Sequence, residues 1–177
     1  PTFWVNDAEN THLKKLIDDT TATIDISTSG NKVIERSTQN VIGFIEGSDP
    51  KLKEEYVLMT AHFDHVGVGK EGDNKVTKDD QIFNGTRDNA IGVTAILSAA
   101  RILSANPPKR SILFIAFTAE EIGLVGSKYY ADNPWLPLNK CIFNLNIDNG
   151  GYNDTNIVTV IGLERTGAKT QFEAATK

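Results

Sequence analysis

Ile112-Leu113-Phe114-Ile115-Ala116-Phe117-Thr118-Ala119-Glu120-Glu121-Ile122-Gly123 is the stretch on which the reading of this chain turns. Its first six residues are wholly apolar, aromatic-rich and few in number. That favours a central strand, buried on both faces, over a helix. Two adjacent carboxylates follow at the strand's C-terminal end, where open α/β sheets gather their ligands. Adjacent acids repel and are costly to desolvate together unless cations or protons compensate. One arrangement meets that condition by placing one acid on a metal and leaving its neighbour as general base. A solvated loop carrying Glu-Glu is the alternative, since charged side chains usually face water. The pair alone does not choose between them.

Outward from this stretch, strands and helices alternate. Tyr56 to Ala61 predicts a buried strand running into His62-Phe63-Asp64-His65, and residues 69–81 an exposed polar loop. A helix follows from about Ala90 to Ser104, apolar over most of its surface and stopped by Asn106-Pro107-Pro108. Gly126 to Asn133 suggests a helix, Cys141 to Ile147 a buried strand ending in Asp148, Ile157 to Ile161 a further strand, and the residues from Thr166 a helix. Upstream, residues 3–5 read as a short strand and Asn6 or Asp7 as the cap of a helix through Ile17, with His12 on its surface. Residues 21–27 and 33–36 read as the arms of a hairpin, and Asn40 to Glu46 as a strand. The alternation predicts an α/β fold with a mostly parallel sheet.

Composition narrows the function classes. With 177 residues the chain can hold one domain with a sizeable core. The net charge of −5 comes without a basic block, which argues against nucleic acid and anionic membrane as partners. No apolar run approaches the ~20 residues of a membrane span, so no membrane insertion is expected. Cys141 is the only cysteine, which excludes an intrachain disulfide and a thiolate metal cluster, and its apolar neighbours predict an inert buried thiol. Two glycosylation sequons, at Asn84 and Asn153, are short matches that arise by chance. The first residue is Pro1, which fits a processed or excised piece.

Four polar clusters each end a predicted strand or open a helix: His62/Asp64, Asp88, Glu120/Glu121 and Asp148. Strand C-termini share one sheet edge, so these groups can converge despite their separation in sequence. One imidazole with several carboxylates suits zinc. Asp64, two residues after His62 in an extended segment, points the same way and can hold its imidazole.

The segments Ala61-His62-Phe63-Asp64-His65, Asp88-Asn89-Ala90-Ile91-Gly92, Thr118 to Gly123 and Asn146-Ile147-Asp148 resemble, in order and spacing, the metal motifs of co-catalytic zinc aminopeptidases. These are the relatives of bacterial leucyl aminopeptidase and, more distantly, of glutamate carboxypeptidase II. The resemblance covers roughly residues 38–162. It implies a three-layer αβα, zinc-exopeptidase (phosphorylase/hydrolase-like) fold, incomplete at the C-terminus, over residues 37–177. Residues 1–36 resemble the end of an inserted protease-associated domain. The resemblance further implies two zinc ions bridged by Asp88, with His62 and Asp148 on one and Glu121 on the other. Glu120 becomes the general base for the attacking water and Asp64 the residue that orients His62. The peptide bond after Asp88 is commonly cis in such proteins. A peptide is the implied substrate, its free α-amino group approaching the site, and an exported, extracellular or periplasmic location is expected by analogy.

The family's second zinc takes one further histidine, well downstream of the Asp148 motif. Here no histidine follows His65. A longer parent enzyme or a relative that has lost a metal would each account for this. Two alternatives to a peptidase stay open: a glutaminyl cyclase-like, single-zinc transferase, and a non-catalytic binding module on the same fold. His65 lies beside the motifs without being one of their ligands.

Overall fold

The computed structural model describes residues 11–23, 25, 27, 30, 34–69, 76–151, 157 and 159–176. By their contacts they divide into two units, residues 1–36 and 37–177. In the first, the helix α1 spans Thr11–Asp18. The expected strand at 3–5 and the predicted cap lie outside the described residues. So do parts of the expected hairpin, and its described positions form no strand.

Among its described residues the second unit is built around six strands: β1 (Val41–Ile45), β2 (Tyr56–His62), β3 (Gly67–Val68), β4 (Ile82–Phe83), β5 (Ser111–Phe117) and β6 (Cys141–Asn146). Three α-helices accompany them among the described residues: α2 (Ile91–Ala105), α3 (Val125–Asp132) and α4 (Lys169–Ala175). Four strands form the main sheet in the order β1-β5-β2-β6, and β3 and β4 make a separate two-stranded ribbon. Within the main sheet β2 runs parallel to both β5 and β6, while β1 is antiparallel to β5; β3 and β4 pair antiparallel.

β5 and β2 lie inside the sheet, which explains their unbroken apolar runs. Side chains alternate across the pleat. Tyr56, Leu58, Leu113 and Ile115 cluster on one face with Tyr130 of α3. Ala61, Ile112 and Phe114 cluster on the other with Ile96 of α2. Helices thus cover both faces, giving the three layers expected. α2 packs through Val93, Ile96, Ala99, Ala100 and Leu103. Leu97 and Ile102 face solvent, so only one side of this apolar helix is covered among the described residues.

Two expectations change. β6 is not buried: its residues alternate between half-buried and exposed, because it lies at the sheet's edge with β2 as its strand partner. No strand forms at 157–161 among the described residues there. Trp135 stacks edge-on against Phe44, ring centroids 5.6 Å apart, while both residues remain exposed. The second sequon lies outside the described residues. Asn84 of the first sequon is exposed.

A tight turn at Leu52–Glu54 aims β2 into the sheet. The Asp49 carboxylate accepts the N–H groups of Lys51 and Leu52, both at 2.9 Å. The hydrogen bond from Leu52, then that from Lys51, holds this carboxyl below its ordinary value. A lowered folded-state value contributes stability above the ordinary carboxylate range, and that stability is lost as pH falls through the folded value. Asp49→Ala should therefore lower the urea midpoint at neutral pH, with the gap to the parent chain closing below about pH 4.

Candidate metal centre

Parallel pairing sets the functional groups level with one another. His62 sits opposite Phe117 at the end of β5, and Thr60 opposite Asn146 at the end of β6. Glu120 and Glu121 therefore emerge just past β5, and Asp148 just past β6, on the edge where β2 delivers His62. The Thr60 hydroxyl donates to Asn146 Oδ1 at 2.7 Å and the Ile147 N–H to the Thr60 carbonyl at 2.9 Å, locking the strand ends together.

Asp88 arrives from the segment that opens α2. The peptide bond between Asp88 and Asn89 is cis. Asn89 is 2% exposed. Its side-chain amide donates to the Ile147 carbonyl at 2.8 Å, and its Oδ1 accepts the Gly92 N–H at 3.2 Å. A Cβ on Gly92 would stand 2.6 Å from the Ile147 carbonyl oxygen, so only glycine lets the start of α2 come this close to the chain beyond β6.

The Glu-Glu loop is held from two sides. Asn40, just before β1, accepts the Thr118 N–H at 3.1 Å and donates to the Gly126 carbonyl at 2.9 Å, clasping the loop where it leaves β5 and enters α3. Asp64 Oδ1 accepts the Glu120 N–H at 3.1 Å, and Oδ2 the Glu121 N–H at 3.3 Å. Between them, Ala119 takes a left-handed conformation with φ of 55°, sparsely populated for a residue with a Cβ.

The sequence predicts that the Asp64 carboxylate orients His62. In the fold the ring's Nδ1 donates instead to the Asp64 main-chain carbonyl at 3.1 Å, with the carboxylate 3.7 Å away. The carboxylate's hydrogen bonds go to the Glu120 and Glu121 amides, which point at it because that loop passes directly over the residue. Asp64 thus joins the His62 strand end to the Glu-Glu loop.

This fixes the charge problem at the site. A carbonyl oxygen can only accept, so Nδ1 of His62 carries a proton, and in the neutral ring Nε2 is a bare lone pair. That lone pair faces Asp88 Oδ1 at 2.9 Å and Asp148 Oδ1 at 3.4 Å. Three acceptors cannot converge so closely without a proton or a cation among them. Burial pulls the His62 imidazole down, but the Asp148 and Glu120 carboxylates outweigh it and the net shift is upward. Burial pushes the Glu120 carboxyl up. His62 opposes this, and Asp148, Glu121 and Asp88 add to it.

Among the described residues, two groups of donors lie close enough to hold a metal ion: His62/Asp88/Asp148 and His65/Asp88/Glu121, the ligand atoms of each within 4.8 Å of one another. Asp88 belongs to both. Glu120 belongs to neither, and lines a cleft of about 180 Å³ with His62, Asp148, Thr118, Asn144 and Asn146. All six sequence-predicted site residues therefore meet at one edge. Asn40 was missed because an Asn ahead of a strand carries no signal of what it will clasp. Imidazole and carboxylate donors with one largely buried histidine suit zinc.

A model of peptidase family M28 matches residues 40–177, and the chain belongs to that family. It is 33% identical over 114 residues to aminopeptidase YwaD of Bacillus subtilis, covering 64% of this chain and 22% of that protein. Among solved structures it is similar to BSAP, a zinc aminopeptidase from Bacillus subtilis. There the TM-score is 0.51 and the identity 30%, over 75% of this chain and 32% of that one. It is also similar to a glutaminyl cyclase of Bacteroides thetaiotaomicron bound to N-acetylhistamine, with TM-score 0.50 and 26% identity over 64% and 42% of the two chains. The chain spans about a fifth of the length of the YwaD aminopeptidase it matches.

If Asp64 holds the loop as described, Asp64→Ala frees two amide N–H groups and loosens both glutamates. Zinc affinity should fall about 10–100-fold, as with other residues that support metal ligands, measured by calorimetric titration. Unchanged affinity would remove Asp64 from the site's architecture.

Proposed function

We propose that the chain carries the catalytic centre of a zinc-dependent aminopeptidase, hydrolysing N-terminal residues from peptides. The observation that carries this reading is His62 Nε2 set between the Asp88 and Asp148 carboxylates, 2.9 and 3.4 Å away, a group of donors whose chemistry suits a bound zinc ion. His62, Asp88 and Asp148 would hold one zinc. Asp88 and Glu121 would belong to a second, which supports two ions sharing Asp88. Bound there, zinc supplies Lewis acidity toward a scissile carbonyl and makes water acidic enough to ionise near neutral pH.

The chain's own residues would do the rest. Glu120 lines the cleft and lies outside both donor sets, so its carboxylate is free to take a proton from water and deliver it to the departing amine. Asp64 keeps Glu120 at its post through the main chain and orients His62 through its own carbonyl. The cleft beside Glu120 and Asp148 would accept the substrate's end, its free amino group drawn by the surrounding carboxylates.

The similarity to a glutaminyl cyclase keeps one competing reading in play, a single-zinc transferase acting on N-terminal glutamine. The two donor sets around Asp88 favour the hydrolase.

Glu120→Gln should lower hydrolysis of aminoacyl nitroanilides by about 10²–10⁴-fold, the usual weight of a general base, while zinc content stays unchanged. Undiminished turnover would sink the role given to Glu120. Elemental analysis of the full-length enzyme after zinc equilibration should return two ions per molecule. One ion, with ammonia released from glutaminyl peptides, would favour the cyclase.

A further inference from the structure

His65 stands three residues after His62, on the other side of Asp64. Its Nδ1 lies 2.6 Å from Glu121 Oε1. Both side chains are about four-fifths buried, at 23% and 22% exposure, so the contact is partly shielded from water. Two donors on one tetrahedral zinc, with bonds of about 2.0–2.1 Å, stand roughly 3.3 Å apart. A separation of 2.6 Å is that of a charge-assisted hydrogen bond. The carboxylate can only accept, so Nδ1 carries the proton.

The ring is held independently of Glu121. After His65 the chain enters the β3–β4 ribbon, in which Gly67 pairs with Phe83. The ribbon brings Phe83 back edge-on to the imidazole, centroids 6.5 Å apart at 69°. Gly85 then passes under the ring with φ of 64°, and a Cβ there would stand 2.9 Å from His65 Cγ. Glu121 is thus fixed twice by one short segment: its amide by Asp64 at 3.3 Å, its carboxylate by His65.

We propose that His65 is a positioning residue, donating from Nδ1 to Glu121 so that this carboxylate is presented toward Asp88 for the ion those two share. The inference rests on the reading of Glu121 as a metal ligand, and goes beyond it in giving His65 a role through Glu121 and not as a ligand itself. The test is zinc titration of the chain by calorimetry, with cadmium NMR on nitrogen-labelled histidine to resolve the two ions. His65→Ala should weaken the ion at Glu121 about 10–100-fold and leave the ion at His62 unchanged. His65→Asn, whose side-chain amide can donate from a similar place, should recover most of the loss. Equal weakening at both ions, no weakening at either, or failure of His65→Asn to recover binding would overturn the role. So would a one-bond cadmium–nitrogen coupling on His65, which would make it a ligand. A chain that binds only the ion at His62 overturns this inference together with the reading of Glu121 as a metal ligand on which it rests. A chain that binds none overturns the metal centre with it.

Discussion

Carboxylates gathered at one sheet edge repel, and the site's framework answers that repulsion. Asp88, Glu120, Glu121 and Asp148 approach a largely buried imidazole whose outward nitrogen has no proton of its own when the ring is neutral. Left to themselves, such groups would turn outward into water, where each is better solvated. They stay because each is fastened by something other than its own charge. Asn89 ties the Asp88 segment to the strand end beside Asp148, Asp64 takes the amides of both glutamates, and Asn40 clasps the loop that carries them. Hydrogen bonds to the backbone hold charged side chains where a proton or a cation must offset their repulsion. This is preorganisation in the ordinary sense: the cost of assembling the ligands is met in folding, so little reorganisation remains for binding.

The same arrangement divides labour between neighbours in sequence. Glu120 and Glu121 are adjacent, yet their side chains diverge: one turns to the cleft, the other to His65 and Asp88. The left-handed turn at Ala119 and the short loop into α3 make that divergence possible, with the Glu120 carbonyl accepting the amides of both Gly123 and Leu124.

Much of this was legible in the sequence because strands write their burial plainly. The apolar runs at 56–61 and 112–117 named the two interior strands, and the acids after them named the edge. What did not show were relations between distant residues. Asn40 and Asn89 look like ordinary polar residues until the chain folds. His65 resembles a bystander until Phe83 and Gly85 come round to meet it. The residues at 157–161 have strand composition but make none among the described positions, and β6 reads as buried yet lies at an edge. Both depend on which strands lie alongside, and local pattern does not encode neighbours.

The strand order carries a consequence for how the molecule is made. β1 and β2 come early in the chain, but they do not pair with each other: β5 lies between them. Neither can close a sheet until residues 111–117 exist, more than fifty positions after β2 begins. A ribosome would therefore extrude two apolar strands with nothing to dock on, and assembly would wait for the third to arrive between them. Such long-range pairing, antiparallel for β1 and parallel for β2, folds slowly and leaves sticky surface open meanwhile. The metal edge, which needs the ends of three strands in register, would be among the last parts of this unit to take shape.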